Sequence, residues 1–414
     1  MRTAASQGSD CCASSPCNGD CFKAPIYHIP KLSLQPVVAP KKNKTKLQFQ
    51  PRNNNVVLAF CGSGTGHLTQ TLEIMHKLKK QNFNISGIIM DSDASPKMIE
   101  EKILPLNLPT LTLPAIKLVH SEKGVLPIPL VLLSVVHFIS KSKETLRDVS
   151  RFFAETEPSH IFNFWHITLA HCLQDVQLPT GAEVINVAPQ FNIQSQPLAG
   201  GPIELIGKGT IDVMAGIFRN SGPTFSISPL AGSNSIPPIL ELPDPIKSFA
   251  PRLILCYFLV QRDAAKLEKL LARYSITGVE FHCFTVKALE KPKDRPLALN
   301  SYPKQGKLFK SLLARCTGII VSTGNETIWE AVCRGVPVLT MPTPGQAEQM
   351  MNARIHSNNF PHLVKAVNKI TIDDVRWVVD YQPSLESQQE SENLRQRVAS
   401  FDSEGMKTLL NQGN

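Results

Sequence analysis

Short apolar runs alternate with amphipathic stretches between residues 55 and 370 of the 414-residue chain. Apolar runs bounded by Gly, Pro or polar residues predict buried strands, and apolar residues spaced three and four apart predict helices. The predicted strands are residues 56–59, 85–90, 160–164, 183–187, 253–259, 278–285, 318–321 and 336–341. The predicted helices are residues 68–80, 96–103, 129–155, 168–173 and 262–274. This alternation is typical of parallel sheets covered on both faces.

The alternation stops between residues 219 and 252, where Pro, Ser, Gly and Asn predominate. We therefore predict two α/β domains, residues 53–240 and 241–375, joined by this connection. Residues 1–52 are predicted to be a disordered tail, and residues 376–414 a polar tail that ends in a helix. Open parallel sheets bind ligands beyond the C-terminal ends of their strands, so we expect a site in the cleft between the two domains.

The net charge of +9 is concentrated in the N-terminal tail. Eight Lys and Arg residues but only two acids fall within residues 1–52, which leaves the body of the chain close to neutral. A basic excess confined to a tail gives little support for a nucleic-acid partner, and none is predicted.

The ten cysteines fall into two groups. Six are isolated within the body of the chain, as is usual for buried thiols in a reducing compartment, so we predict a cytoplasmic location. Peripheral membrane association and organelle import through the tail stay open. The other four, Cys11, Cys12, Cys17 and Cys21, match no zinc-binding spacing; metal binding or acylation is the alternative to a disordered tail there.

Residues 124–140 form the most apolar stretch of the chain. The stretch contains Pro127, Pro129 and His137, and it is shorter than the ~20 residues that a membrane span requires. We predict a buried helix and no transmembrane span; a membrane-docking surface flanked by lysines is the alternative.

The most informative stretch runs from residue 318 to residue 353. A buried strand leads into a turn at residues 322–325 and then into a helix, an arrangement whose free N–H groups bind phosphate. Glu330 follows one helical turn later, where a carboxylate can reach a ribose hydroxyl pair. Glu348 and Gln349 follow the next strand at the same edge of the sheet. These residues predict a site for a nucleotide and an attached sugar.

A second Gly-rich turn, GSGTGH at residues 62–67, follows the first strand. A dinucleotide site with Asp91 or Asp93 as the ribose acid is one interpretation. However, His67 stands where the third Gly of the Gly-x-Gly-x-x-Gly fingerprint belongs, which disfavours NAD. His67 can act as an acid or base near neutral pH. His166, just past the strand at residues 160–164, is a second candidate, although a structural role fits it better.

Asp91 and Asp93 form an Asp-x-Asp pair after a strand. Two such carboxylates could hold Mg²⁺ or Mn²⁺. We interpret them instead as strand-end groups that face the acceptor or orient His67, and we predict no metal site.

Residues 324–353 resemble the donor-binding motif of GT-B glycosyltransferases of the family 28 C-terminal type. That group includes the bacterial lipid II-forming N-acetylglucosaminyltransferase and the plastid galactolipid synthases. The pattern Gly-x-x-Thr-x-x-Glu, Gly-x-Pro, Pro, Glu-Gln, Asn-Ala is met by Gly324, Thr327, Glu330, Gly335, Pro337, Pro342, Glu348, Gln349, Asn352 and Ala353. The relatives also carry a Gly-Thr-Gly-(Gly)-His turn after the first strand, one Gly longer than residues 64–67 here.

The resemblance implies an α/β GT-B fold, in which two Rossmann-like domains with parallel sheets face each other across a cleft. Residues 53–240 would bind the acceptor and residues 241–375 the donor. His67 would be the catalytic base or would position the acceptor; the alternative is that it only shapes the turn. The donor-binding residues implied by the resemblance are Gly64, Thr65, Gly66, Gly324, Asn325, Thr327, Glu330, Glu348 and Gln349.

The implied activity is that of a hexosyltransferase that uses a nucleotide-diphosphate sugar, a UDP-sugar, with inversion and without a metal or other cofactor. The acceptor is unidentified; the basic tail and the apolar residues 130–139 hint at a lipid or membrane-associated one. Ser322 and Glu326 depart from the plant secondary-metabolite type, which has His and Asn there. Two alternatives remain: a nucleotide-sugar 2-epimerase, which would need extra carboxylates in the cleft, and a degenerate transferase that binds a sugar nucleotide or lipid carrier without catalysis.

Overall fold

The computed structural model describes residues 54–62, 66–92, 94–115, 142–194, 196, 201–248 and 250–410. The N-terminal tail with its four cysteines, Gly64, Thr65, Asp93 and the apolar stretch at residues 124–140 lie outside the described residues.

Two parallel sheets organise the described chain. The first has the order β3-β2-β1-β4-β5-β6-β7 and the second β10-β9-β8-β11-β12-β13, so each contains the 3-2-1-4-5-6 arrangement of a doubly wound fold. The strands of the first sheet are β1 (Asn55–Phe60), β2 (Asn84–Asp91), β3 (Thr110–Leu113), β4 (His160–Phe164), β5 (Glu183–Ala188), β6 (Thr224–Ile227) and β7 (Ser235–Ile236). Those of the second are β8 (Arg252–Tyr257), β9 (Val279–Thr285), β10 (Asn300–Pro303), β11 (Gly318–Ser322), β12 (Val338–Met341) and β13 (Val364–Ala366). The predicted α/β class is confirmed.

Helices connect successive strands and cover the sheets. They are α1 (Gly66–Lys80), α2 (Pro96–Met98), α3 (Ser142–Thr156), α4 (Ile167–Cys172), α5 (Gln190–Gln194), α6 (Pro202–Ser221), α7 (Gln261–Tyr274), α8 (Gly306–Leu313), α9 (Glu326–Cys333), α10 (Ala347–Asn359), α11 (Ile372–Val379), α12 (Leu385–Ala399) and α13 (Met406–Leu410). Within the described ranges, none of these helices is both long and apolar enough to cross a membrane.

The central strands are buried on both faces, which is why they appear in the sequence as continuous apolar runs. In β1, for example, Val56 to Phe60 are completely buried. All eight predicted strands are present, and their ends differ from the prediction by at most two residues. The strands that the pattern missed, β3, β6, β7, β10 and β13, are four residues long or shorter and lie at or near a sheet edge.

The predicted connection at residues 219–252 begins later than expected. Helix α6 extends to Ser221, and both β6 and β7 still belong to the first sheet. Helix α6 itself escaped prediction because Gly207, Gly209 and Gly216 weaken the helical pattern. The irregular stretch between the sheets runs from residue 237 to residue 251.

Helix α6 packs closely against α10, which belongs to the second half of the chain. A Cβ on Gly207 would overlap that of Ala347, so the glycine permits this approach. Nearby, Arg354 forms a two-pronged ion pair with the buried carboxylate of Glu204, with N–O distances of 2.6 and 3.0 Å. These contacts, at Ala347 and two turns later at Arg354, fix α10 beside the first half of the chain.

The C-terminal segment is more than a polar tail. Leu394, Val398, Phe401, Met406 and Leu409 are buried in a core that also contains residues of β1 and α1. Lys77 of α1 reaches Asp402 at 2.7 Å. The segment therefore returns to the first half of the chain, while the proposed domain limits at residues 240 and 375 stay a prediction.

Candidate active site

The described ends of the first Gly-rich turn, Gly62 and Gly66, follow β1, and the second Gly-rich turn follows β11, the fourth strand of the other sheet. A Cβ on Gly66, at the start of α1, would lie 2.7 Å from Oε2 of Glu326, at the start of α9. A Cβ on Gly62 would lie 2.6 Å from Oδ1 of Asp91. Close packing thus explains both glycines, and the turns lie on opposite sides of one narrow cleft.

The turn after β11 is fixed by hydrogen bonds at its start, and it is exposed at Gly324. Oγ of Ser322 accepts a hydrogen bond from the backbone N–H of Leu259 at 3.1 Å, and the hydroxyls of Thr323 and Thr340 are 2.8 Å apart. Gly324 is exposed, and a Cβ there would meet nothing within 4 Å. The turn therefore combines a fixed backbone with free space beside the N-terminus of α9.

Asn325 and Thr327 flank the start of α9. The Asn325 side chain does not cap the helix; its Oδ1 accepts a hydrogen bond from Nε2 of the buried His356 at 2.9 Å. Burial lowers the pKa of His356 to about 4, so that ring is neutral at physiological pH. Thr327 is half-buried in the first turn of α9. Because the Asn325 side chain is turned inward, it leaves the N–H groups of the first turn of α9 uncapped, and of these the N–H of Glu326 is used by that residue's own carboxylate.

Glu326 points across the cleft. Its Oε1 accepts a hydrogen bond from Nε2 of Gln70 on α1. Burial raises the pKa of Glu326, and hydrogen bonds from its own backbone and from Gln70 oppose this rise. The acid that departs from the plant-type motif therefore contacts the opposite half of the chain.

Glu330 lies one turn after Glu326 and is half-buried. Burial raises the pKa of Glu330 to about 7; Lys310 and Arg334 oppose the rise, whereas Glu326 and Glu241 add to it. A carboxylate with this pKa changes charge close to neutral pH.

Glu348 and Gln349, in the first turn of α10, have different surroundings. Oε1 of Gln349 accepts a hydrogen bond from the backbone N–H of Thr343 at 2.7 Å, which fixes the turn after β12. Glu348 points toward the first half of the chain, where its Oε1 accepts a hydrogen bond from Nε2 of Gln190 at 3.0 Å. Burial raises the pKa of Glu348 to about 7; hydrogen bonds from Gln190 and Asn352 oppose the rise, and Glu326 adds to it.

His67 lies in the first turn of α1, facing Gln190. Nε2 of Gln190 lies 3.3 Å from Nε2 of His67, so one amide bridges His67 and Glu348. Burial lowers the pKa of His67 to about 4, and Gln70 and Asp91 partly oppose this. His67 is therefore neutral at physiological pH.

Gln190 is the main residue that sequence reasoning missed. It begins α5 directly beyond the C-terminal end of β5 and is 5 % exposed. Its signal in the sequence was a polar residue just past a predicted strand, the same feature that indicated His67 and Glu348.

His166 and Asp91 lie next to the site. Nδ1 of His166 accepts a hydrogen bond from the backbone N–H of Leu169 at 3.4 Å, which caps α4. Burial lowers the pKa of His166, and Asp91 opposes this. Asp91 thus favours the charged form of both histidines, whereas His166 has the structural role expected for it.

Glu348 gives a prediction for stability. The folded-state pKa of about 7 exceeds the ordinary glutamate value of 4.5, so the folded state binds more protons and the contribution of Glu348 to stability falls as pH rises from about 4.5 to 7. Glu348→Gln removes this penalty and should raise the unfolding free energy at pH 8 by about 2 kcal/mol, allowing for partial exposure. The gain should vanish near pH 5. Thermal melts of the wild type and Glu348→Gln from pH 5 to 8 measure the gain in stability, and Glu290→Gln, which changes an exposed glutamate, is the control. An equal gain in stability at pH 5 and pH 8 would contradict a raised pKa for Glu348.

Known structures with a similar fold were found, although no similar sequence was. No family model matches the sequence, and no curated protein matches it significantly. The kitacinnamycin glycotransferase structure matches 87% of this chain and 100% of its own, with a TM-score of 0.57 and 12% identity. UGT89C1 from Arabidopsis thaliana, solved with quercetin, matches 86% of this chain and 97% of its own (TM-score 0.55, 16% identity). MurG from Acinetobacter baumannii matches 83% and 95%, respectively (TM-score 0.50, 14% identity).

At these identities the likeness concerns the fold. Each match covers more than four fifths of this chain, and the described chain has the two parallel sheets of a GT-B protein. The protein therefore has the GT-B fold, two Rossmann-like units with parallel sheets, as the donor motif predicted.

Proposed function

We propose that the protein is a glycosyltransferase that moves a sugar from a nucleotide-diphosphate sugar, specifically a UDP-sugar, to an acceptor hydroxyl with inversion at the anomeric carbon. The observation that carries the proposal is the position of neutral His67 beside Gln190 and Glu348, opposite the start of α9, where the N-cap residue Asn325 makes no capping hydrogen bond. A base on one side of a cleft and an anion site on the other are what sugar transfer to a hydroxyl needs.

In the proposed reaction the acceptor oxygen forms a bond to the anomeric carbon while the bond from that carbon to the diphosphate oxygen breaks. The electron pair of the broken bond stays on the diphosphate, and the hydroxyl proton passes to His67. The N-terminus of α9 would stabilise the leaving diphosphate. A bound diphosphate would also raise the pKa of His67, because nearby negative charge favours the imidazolium. Donor binding would thus make His67 a stronger base.

In the same proposal, Glu330 binds the ribose hydroxyls, and Glu348 and Gln349 contact the transferred sugar. Gly324 leaves room for the diphosphate. Support comes from the open space around Gly324 and from the position of the half-buried Glu330 one turn further along α9.

Gly324→Val tests this assignment. Because a Cβ at Gly324 meets nothing within 4 Å, the variant should fold with an unchanged melting temperature, yet its side chain should occupy the space needed by the diphosphate. Release of nucleoside diphosphate from UDP-, GDP-, dTDP- and ADP-sugars should fall at least tenfold. Gly306→Val is the matched control, since a Cβ at Gly306 also meets nothing within 4 Å. Equal activity in the two variants would contradict the proposal. The assays should be run with several acceptors, including lipid alcohols in detergent, to test for a lipid acceptor. Each should be repeated with EDTA to test whether activity needs a metal.

A nucleotide-sugar 2-epimerase is the second candidate. Glu326, Glu330 and Glu348 have pKa values raised mainly by burial, and Glu326 raises those of the other two. Such carboxyls are the groups that an epimerase would need. Incubation of the sugar nucleotides without an acceptor separates the two, because only an epimerase would then produce a new epimer.

A further inference from the structure

A chain of polar side chains crosses the cleft through His67. On one side, Nε2 of Gln190 lies 3.3 Å from Nε2 of His67 and donates to Oε1 of Glu348 at 3.0 Å. On the other side, Nε2 of Gln70 donates to Oε1 of Glu326. Both glutamines belong to the first half of the chain and both glutamates to the second. The ring of His67 therefore lies between two Gln–Glu bridges.

The Gln190 bridge determines which ring nitrogen of His67 carries the proton. An amide nitrogen only donates, so Nε2 of a neutral His67 must accept at this contact, which places the proton on Nδ1. Reversing the amide would bring its oxygen against the carboxylate oxygen of Glu348, so ionised Glu348 opposes that orientation. Glu348 thus fixes the amide, and the amide fixes the imidazole.

The opposite side of the ring is consistent with a proton on Nδ1. Because Nε2 of Gln70 is engaged by Glu326, its Oε1 is left as an acceptor. Nδ1 of His67 and Oε1 of Gln70 are both buried, and neither has a hydrogen-bond partner among the described residues, so each is free to pair with the other. Gln70 and Asp91 each raise the pKa of His67, the effect expected of acceptors near a ring proton.

We propose that Gln190 is a positioning residue that holds His67 as the Nδ1–H tautomer, with its Nε2 lone pair turned toward Glu348 and the cleft. This inference rests on the proposed function, in which that lone pair receives the acceptor proton. The acceptor hydroxyl would replace the Gln190 amide at Nε2. Glu348, in the half proposed to bind the donor, thereby sets the tautomer of His67, the base in the half proposed to bind the acceptor.

The charged groups around His67 define the variants. Asp91 faces the ring from β2, and Glu326 and Glu348 act on it through the two glutamines. Gln190→Leu removes the donor to Nε2 and leaves these charges in place. Gln190→Glu keeps the size and replaces the donor by an acceptor, which should favour a proton on Nε2 and raise the pKa of His67. Gln194→Leu is the control, since Gln194 lies on the same helix and donates to Asp212 at 3.3 Å.

The test is ¹⁵N NMR of histidine-labelled protein, with the His67 signals identified from a His67→Ala sample. We expect the Nδ1–H tautomer in the wild type and in Gln194→Leu, a mixture in Gln190→Leu, and the Nε2–H form in Gln190→Glu. An Nε2–H tautomer in the wild type, or an unchanged tautomer in Gln190→Leu, would overturn the inference.

Sugar-transfer assays on the same variants separate this inference from the proposed function. If the tautomers change as expected but the wild type transfers no sugar to any acceptor, the proposed function fails and the role of Gln190 in setting the tautomer stands. If the wild type is active, Gln190→Leu should lower kcat about tenfold or more and leave the affinity for nucleoside diphosphate unchanged. Unchanged kcat despite a changed tautomer would contradict the catalytic part of the inference.

Discussion

Glu330→Ala is expected to weaken the binding of a nucleoside diphosphate by roughly 10- to 100-fold. Hydrogen bonds to a charged group contribute about 1.5–3 kcal/mol, and each 1.4 kcal/mol changes affinity tenfold. Isothermal titration with UDP measures the effect. Glu290→Ala removes an exposed carboxylate of the same half and should bind as the wild type does. Equal affinities for wild type and Glu330→Ala would remove Glu330 from the nucleotide site.

The pH dependence of UDP binding is a second test of the role of Glu330. The pKa of Glu330 is raised to about 7, so the carboxylate that accepts from the ribose hydroxyls is lost as pH falls through 7. Wild-type affinity should therefore increase between pH 6 and pH 8. Glu330→Gln cannot ionise at this position and should show a smaller increase, since the ligand phosphate and Glu348 titrate in both proteins and only the wild type gains the Glu330 carboxylate. Parallel pH profiles for the two proteins would contradict this role.

His67→Ala is expected to lower kcat for sugar transfer by about 10²- to 10⁴-fold, the usual contribution of a general base. Affinity for nucleoside diphosphate should change little, because most of the proposed donor contacts lie in the turn after β11 and on α9 and α10, and the His67 side chain is not one of them. His76→Ala is the matched control: it removes an exposed histidine from the same helix, α1. Steady-state kinetics with saturating donor measures kcat, so a loss of catalysis is not confused with weaker donor binding. Wild-type kcat in His67→Ala would show that His67 only shapes the turn.

The sequence predicted the parts of the fold that depend on buried strands. Continuous apolar runs such as residues 318–321 can hardly be placed anywhere but in a sheet core, and the Gly-rich turns after them mark the ligand edge. Short edge strands such as β10 lack that pattern. Helix α6 was missed for a different reason: its glycines, including Gly207, serve packing against Ala347, a contact between residues 140 positions apart.

The sequence pointed to single candidate residues and not to the contacts between them. His67 and Glu348 were singled out because each begins a helix just after a strand, and Glu330 because it follows one helical turn later within the donor motif. Gln190 was not, because its importance lies in distances to His67 and Glu348, which are far away in sequence. Glu326 departs from the plant-type motif, and its carboxyl is directed at Gln70 and Gly66 in the other half of the chain. Long-range pairings of this kind leave no local pattern.

The pKa values of the site follow from the same long-range packing. The residues next to His67 and Glu348 in the sequence do not account for their shifted pKa values. Packing between the two halves of the chain buries both side chains, and this burial lowers the pKa of His67 to about 4 and raises the pKa of Glu348 to about 7. The result is a neutral histidine facing a carboxyl that ionises near physiological pH.

Ligand-induced stabilisation tests the central claim, a nucleotide-sugar site in this cleft, most directly. The melting temperature of the wild type should be measured with UDP, GDP, dTDP, ADP and NAD⁺, because a ligand that binds the native state raises it by mass action. We predict stabilisation by UDP that is lost in Glu330→Ala. Stabilisation by NAD⁺ alone, or an equal response of the variant, would contradict the claim.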